Sequence, residues 1–357
     1  MSDDVIRTQV ALIGAGPIGL ELAVALKHMG VDYLHFDAGQ VGQTVSWYPH
    51  QTRFFSSPER IAIAGVPLVT VDQSKATREE YLAYLRGIVE QFDLQIRTYE
   101  RVERLERHDG GFLLHTRRHG QGHTYAAKQV VLAIGDMHRP RRLNIPGEDL
   151  EHVSHYFDEP HRYFRQRLLI VGGRNSAAEA ALRCHRAGAQ VALSYRRPAF
   201  DNKSIKYWIL PELESLIRHK HIGFFPCTVP QRITPTHVTL GPSDQEGCPA
   251  SADPVDVPAD FVLLLTGYVM DSSLLEQVGV ELVGENRQPK LDPQTMQTNV
   301  PGLFVAGTAA GGTQVRFRLF IENCHPHVTR IIKAITGHTP PTHLVNQTAT
   351  RFELPEA

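Results

Sequence analysis

Short apolar runs along this chain pass directly into stretches with helical spacing, and they do so twice in the same order. Val10-Ala-Leu-Ile13 predicts a buried strand, and Leu20-Glu-Leu-Ala-Val-Ala-Leu-Lys27 carries its apolar residues at helical intervals. Tyr33-Leu-His-Phe36 then reads as a second strand. The layout returns with Leu168-Leu-Ile-Val171 as strand, Ala177-Ala-Glu-Ala-Ala-Leu182 opening a helix, and Val191-Ala-Leu-Ser-Tyr195 as the next strand. Between the two modules, residues 78–92 predict an amphipathic helix. The alternating segments after Leu94, including Phe112-Leu-Leu-His-Thr116, predict an antiparallel sheet or ribbon. Residues 128–135 return as a buried strand ending at Gly135. Residues 241–258, rich in Gly, Pro, Ser and Asp, predict an exposed hairpin loop, and the stretch from Thr339 onward an arm or frayed end. Strand, helix and strand in a repeated module predict an α/β chain with two Rossmann-like dinucleotide-binding domains.

Glycine turns join strand to helix in both modules. The first is Gly14-Ala15-Gly16-Pro17-Ile18-Gly19. A turn of this kind aims backbone N–H groups and the positive helix end at a pyrophosphate. Gly14 permits the tight turn, Gly16 lets phosphate approach the backbone, and Gly19 lets helix pack on strand. Asp37 ends the second strand, at the distance from Gly19 where an acid binds ribose hydroxyls. The second turn is Gly172-Gly173-Arg174-Asn175-Ser176-Ala177, and its following strand ends in Arg196-Arg197 rather than an acid. A carboxylate repels a 2′-phosphate and a guanidinium binds it, so this half predicts an NADPH site; a solvated basic pair is the other reading. Arg174 stands where the middle glycine is expected, either crowding the pyrophosphate or touching it with its charge. Two nucleotides in one chain imply electron transfer between them.

Composition narrows the classes. The 357 residues, 42% hydrophobic and 21% charged, suffice for two domains, and a net charge of −1 gives no electrostatic case for nucleic acid or an anionic membrane. No apolar run approaches the ~20 residues of a membrane span. The polar start is not a signal peptide, so a cytoplasmic location is expected. HExxH, GxSxG and Walker motifs are missing. Cys184, Cys227, Cys248 and Cys324 are widely spaced without a CxxC. Cys324-His325-Pro326-His327 holds ligand types, but Pro326 is expected to break the local geometry, and no metal site is predicted.

Further segments narrow the family: residues 48–52 (YPHQT), 54–58 (FFSSP), 155–157, 171–177, 204–211 (SIKYWILP), 266–268, 298–307 and 320–323 (FIEN). With them the chain resembles two-dinucleotide-binding-domain flavoproteins of the low-molecular-weight thioredoxin reductase type, and within these the bacillithiol disulfide reductase subgroup. The resemblance implies an FAD domain from residues 1–150 and 272–340, an inserted NADPH domain at 151–271, and a tail at 341–357. It implies that Gly14, Gly16, Pro17, Ile18, Gly19, Asp37, His50, Gly135, Gly307, Thr308, Phe320 and Ile321 line FAD. Gly172, Gly173, Arg174, Asn175, Ser176, Ala177, Arg196 and Arg197 would line NADPH, with Lys203 and Lys206 near its phosphate, while Tyr207 and Trp208 pack the domain. Hinges are expected near Pro146-Gly147 and Gly267, and a homo-oligomer is implied.

Two departures stand out against this family. Thr308 occupies the place of an acid that binds the ribityl chain in many relatives, so that contact is expected to be weaker or supplied elsewhere. Ile18 occupies the place of the subgroup's flavin-facing cysteine, and a hydrocarbon cannot form a mixed disulfide. Cys324 is then the one cysteine to consider as a relocated thiol, with an inert role favoured, and Cys184 a packing residue. The expected activity is an NADPH-dependent FAD oxidoreductase passing electrons to a low-molecular-weight disulfide. Alternatives are a ferredoxin or flavodoxin NADP reductase, a flavin monooxygenase, or a non-catalytic redox sensor.

Overall fold

The computed structural model describes residues 5–249, 251, 253–315 and 318–348. The chain divides into two compact units, one made of residues 1–139 with 268–357 and the other running from Pro140 to Gly267.

The first unit is built on a seven-stranded sheet in the order Ile96–Arg97, Tyr33–Phe36, Ile6–Ile13, Gln121–Leu132, Gly111–Arg118, Glu100–His108, with Leu303–Val305 also paired to Gln121–Leu132. The long strand Gln121–Leu132 serves three partners. Its first half pairs antiparallel with Gly111–Arg118, and its second half runs parallel to Ile6–Ile13, with Leu132 opposite both Ile13 and Val305. Three parallel strands therefore end side by side.

Helix Pro17–His28 is buried from Ile18 through Leu26 because it lies between the sheet and helix Ile321–Thr336, an environment that suits its nearly unbroken apolar run. Helix Arg78–Gln91 begins at a capping box: Glu80 N donates to Thr77 Oγ1 (3.2 Å) and Thr77 N to Glu80 Oε2 (2.7 Å). Helix Ile321–Thr336 continues through Pro326, correcting the expected break; the proline falls in the second turn and interrupts only one intrahelical bond. Leu344 and Val345 are buried in the core of this unit, so residues 341–348 are not a frayed end. The rest of the expected tail, 349–357, lies outside the described residues.

The second unit holds a five-stranded parallel sheet in the order Gly223–Pro226, Gln190–Tyr195, Arg167–Val171, Phe261–Leu264, Val153–Ser154. Beside it stands an antiparallel sheet of Thr228–Ile233, His237–Pro242 and Val255–Pro258. Residues 241–258, expected to be one exposed loop, thus begin and end in strands. Residues 140–150, expected in the FAD domain, belong here: Leu143, Ile145 and Leu150 pack on this core, and Ile233 N donates to Pro146 O (2.9 Å). A Cβ on Gly147 would lie 1.9 Å from Ile233 O, so Pro146-Gly147 is packed rather than hinged. Gly267, at the second crossing between units, has open space around it.

Cys227 and Cys248 form a disulfide, a pairing the spacing did not disclose. The hairpin accounts for it. Thr228 pairs with Pro242, so the chain after Pro242 returns beside Cys227, and Ser243 N donates to Cys227 O (2.9 Å). Among the described residues no helix is long and apolar enough to cross a membrane.

Candidate functional site

In the first unit Gly14, Gly135 and Gly307 follow the carboxyl ends of the three neighbouring parallel strands, where ligands bind in open α/β sheets. The three glycines of the first turn answer to different demands. Gly14 has a left-handed φ of +108° and a Cβ there would lie 2.3 Å from Ala133 O. A Cβ on Gly19 would lie 1.9 Å from Gly14 O, so strand and helix close only on glycine. A Cβ on Gly16 would meet no protein atom within 4 Å, so what keeps this position small is not the protein itself. Gly16 caps helix Pro17–His28 without a side-chain bond, and the first turn carries no acid. That leaves an N-terminus suited to an anion.

Asp37 is tied to the same turn: its Oδ2 accepts from Ala15 N (2.6 Å) and its Oδ1 from Gly39 N (2.7 Å). Ile18, almost fully buried, reaches the Gly307 turn, where a Cβ on Gly307 would touch the Ile18 side chain at 3.6 Å. Gly135, left-handed at φ +75°, lies beside the Thr308 hydroxyl. Phe320 N donates to Asn323 Oδ1 (2.8 Å), which starts helix Ile321–Thr336. His50 is exposed on the segment after helix Gln43–Ser46.

The sequence reading missed Asp136, the residue after Gly135. Its carboxylate is buried and accepts from the Thr308 hydroxyl and from Gln314 Nε2 (3.0 Å). Gln314 also accepts from Arg318 N and Leu319 N (2.9 Å each), linking Asp136 to the approach of the final helix. Burial raises the Asp136 carboxyl above its ordinary range, and Tyr48, near it, is pushed up to about 12 by burial and by the Asp136 charge. The strand ends at Leu132, short of the expected Gly135, and an acid just after that glycine was the available signal.

In the second unit, Gly172 has φ +153° and a Cβ there would lie 2.7 Å from Leu265 O. A Cβ on Gly173 would strike the Tyr195 ring at 2.1 Å, so this glycine is required by packing. Arg174 takes the N-cap of helix Asn175–Arg186, extended and without a side-chain cap bond, and no acid occupies the first turn. Asn175 Oδ1 accepts from Lys206 N (2.8 Å), fixing the following loop onto the turn. Ser176 is exposed and Ala177 buried. Tyr195 stacks on Phe200, and directly after it Arg196 is exposed and Arg197 half-buried. Lys206 Nζ lies 5.9 Å over the Trp208 ring. Tyr207 (80% exposed) and Trp208 (43%) do not pack the domain as expected; they pack edge to face on each other.

The model of the pyridine nucleotide-disulphide oxidoreductase family matches residues 11–307. The chain belongs to this family. It is an FAD- and NADPH-dependent oxidoreductase. Bacilliredoxin reductase Bdr of Bacillus subtilis is 34% identical over 323 residues, 90% of this chain and 95% of that one. A ferredoxin–NADP reductase of Ignicoccus hospitalis is 27% identical over 306 residues, 83% of this chain and 88% of that one. The solved bacillithiol disulfide reductase of Bacillus cereus superposes with a TM-score of 0.86 at 34% identity, covering 93% of this chain and 99% of the other.

For an oxidoreductase of this family the thiols are the next question. Cys324 is fully buried, and burial raises its thiol, with Asp136 and Glu21 adding to the effect. Its thiolate is disfavoured. Cys184 is buried and raised to about 12 for the same first reason. The two histidines beside Cys324 are engaged separately: His327 Nδ1 accepts from Gly307 N (3.2 Å), while His325 contacts Glu21 and Arg60. Among the described residues no group of three or more His, Cys, Asp or Glu is placed to hold a metal ion.

Behind the first turn, His35 Nε2 lies 2.9 Å from Gly14 O, so this nitrogen donates. Burial lowers its pKa from 6.5 to about 4. The unfolded chain therefore binds the extra proton first as pH falls, and this contribution to stability, present above 6.5, is lost on the way to 4. From pH 7 to 5 His35 should remove about 2 kcal/mol. Urea midpoints of the parent and of His35→Gln at both pH values measure it as a difference, which cancels the other histidines; equal pH slopes would refute it.

Proposed function

We propose that the chain takes hydride from NADPH and delivers the electrons to a low-molecular-weight disulfide, with oxidised bacillithiol the first compound to try. The observation that carries this is 34% identity sustained over 90% of the chain and nearly all of a bacilliredoxin reductase, alongside an equally similar solved bacillithiol disulfide reductase. Bound FAD supplies the relay between a two-electron donor and the acceptor. The residues fit it. The space at Gly16 and the uncapped helix end suit a pyrophosphate, and Asp37 retains lone pairs for ribose hydroxyls beyond its two backbone bonds. Asp136 supports the expectation that the acid absent at Thr308 is supplied elsewhere, for it offers a buried carboxylate bonded to that same hydroxyl. In the second unit the uncapped helix end behind Arg174 suits the NADPH pyrophosphate, and Arg196 with Arg197 the 2′-phosphate. A cytoplasmic homo-oligomer is the form expected from the family resemblance.

Ile18 and the buried Cys324 favour a second reading, in which electrons leave for a one-electron protein carrier such as ferredoxin without a protein thiol as intermediate.

Anaerobic stopped-flow mixing tests the first half. NADPH should bleach the flavin band well ahead of NADH, and Arg196→Ala/Arg197→Ala should weaken NADPH about 100-fold with NADH changed less than about 3-fold, since each charge-assisted phosphate bond is worth roughly 1.5–3 kcal/mol. Turnover with oxidised bacillithiol or with ferredoxin then separates the two acceptors. A flavin that NADPH does not bleach would leave only a binding or sensing role.

A further inference from the structure

We propose that the Cys227–Cys248 disulfide is a thiol-controlled lock on the 2′-phosphate end of the NADPH site, an inference that rests on the reading of Arg196 and Arg197 given above. One half of the disulfide holds a peptide group of that segment through a hydrogen bond, and the other half lies against the preceding carbonyl. Cys227 N donates to Arg197 O (3.2 Å), and Cys248 Sγ lies 3.4 Å from Arg196 O. In the disulfide that sulfur carries no hydrogen to donate; only a thiol at Cys248 can make this a hydrogen bond. The same loop leans on the next residue, since a Cβ on Gly247, left-handed at φ +84°, would touch Pro198 Cγ at 3.3 Å. One covalently closed loop thus bonds the Arg197 carbonyl and packs against Arg196 and Pro198.

Cys227 itself has a left-handed backbone (φ +57°), which a non-glycine residue keeps only when its surroundings hold it there. Its surroundings are the Arg197 carbonyl, the Ser243 N–H and the bond to Cys248. Opening the disulfide removes the only covalent tie among them. Both sulfurs belong to half-buried residues, whereas Cys184 and Cys324 are fully buried.

The chemistry is thiol–disulfide exchange with a low-molecular-weight monothiol. Its thiolate attacks one sulfur, the Cys227–Cys248 bond breaks, and the released cysteine thiolate takes up a proton. A second thiolate displaces the first as a symmetrical disulfide and leaves the other cysteine as a thiol. The chain gains two electrons and two protons, and two monothiols are oxidised to one disulfide. In the oxidised chain the two arginines are pre-organised for phosphate; in the reduced chain binding must also order the loop, so affinity for the phosphorylated nucleotide falls. NAD⁺, lacking the 2′-phosphate, is indifferent. When small disulfides accumulate, the enzyme therefore holds NADPH more tightly, and as their thiols accumulate it lets go.

The test uses the FAD-loaded protein as isolated and after treatment with dithiothreitol followed by gel filtration. Iodoacetamide labelling counts the thiols, and titration calorimetry gives Kd for NADP⁺ and NAD⁺. Reduction should expose two more thiols in the folded protein, raise Kd for NADP⁺ about 5- to 10-fold and change that for NAD⁺ less than 2-fold; Cys248→Ser should sit at the weak value and ignore dithiothreitol. Equal NADP⁺ affinity in oxidised and reduced protein overturns the lock, as does a disulfide that opens only on unfolding. Should Cys248→Ser not fold, the oxidised and reduced parent still decide. Arg196→Ala/Arg197→Ala separates the premises: an unchanged ratio of NAD⁺ to NADP⁺ affinity defeats the phosphate reading, while a collapsed ratio with no redox effect defeats the lock alone.

Discussion

Gly19→Ala should produce a protein that retains no FAD and whose first unit is destabilised by about 3 kcal/mol or more. The added carbon has nowhere to go: it would sit 1.9 Å from Gly14 O and 3.0 Å from Gly14 C, both backbone atoms of a turn that is itself left-handed and pressed on Ala133. Relief requires helix Pro17–His28 to move off strand Ile6–Ile13, and that helix is buried along nearly all of its length. The shift also carries away the N–H groups at the helix start. Gly16→Ala is the informative partner, because its Cβ meets no protein atom. That variant should unfold within about 1 kcal/mol of the parent when stripped of flavin, the modest cost of alanine at an N-cap, yet bind FAD weakly. Flavin absorbance per protein and urea unfolding of the apo-protein measure both. A Gly19→Ala protein that keeps its flavin would falsify the assignment of the turn.

Glu21→Ala should cost about 3–5 kcal/mol and lower the unfolding temperature by roughly 10 °C, although Glu21 touches none of the candidate site residues. Glu21 is fully buried and satisfies three segments at once. Its Oε2 lies 2.7 Å from His325 Nδ1, and its Oε1 accepts from Asn346 N (2.8 Å) and Ala64 N (3.3 Å). His325 Nε2 faces Arg60 O at 3.0 Å. Both neighbours of the ring are acceptors, so both nitrogens donate and the ring is an imidazolium. Burial opposes the charge, but Glu21, the Arg60 carbonyl and Glu322 outweigh it and raise the pKa. Alanine at 21 leaves a buried cation and two N–H groups unanswered. Glutamine does not, since its amide nitrogen can donate to a neutral His325 at Nδ1 while its oxygen still accepts from Asn346. Glu21→Gln should therefore recover most of the stability in calorimetry, and an equal loss for both variants would refute the charge assignment.

Legibility in the sequence followed the distance over which each feature is made. Gly14 and Gly172 were readable because strand, turn and helix lie within a few residues and each carries its own period. Helix Arg78–Gln91 was readable for the same reason, although its capping box at Thr77 was not read. Asp136 was missed because its meaning comes from Thr308 and Gln314, more than 170 residues away on a strand end and a loop that only the closed sheet brings near. Glu21 drew no reading from the sequence, because its partner His325 is 304 positions on. The Cys227–Cys248 pair depends on hairpin register, which spacing does not encode. Tyr207 and Trp208 were expected to pack the domain rather than stack on a cofactor, but large aromatics also stand on protein surfaces.

The order of strands along the chain has a consequence for synthesis. Leu303–Val305 completes the first unit's sheet against Val130–Leu132 only after the whole of the second unit has left the ribosome. The second unit is continuous and can close as soon as it emerges. The first must wait, with the apolar edge at Val130 and Val131 unpaired through more than 150 further residues of translation. Chaperone contacts on stalled nascent chains should therefore concentrate on that edge and vanish once helix Ile321–Thr336 is clear of the exit tunnel.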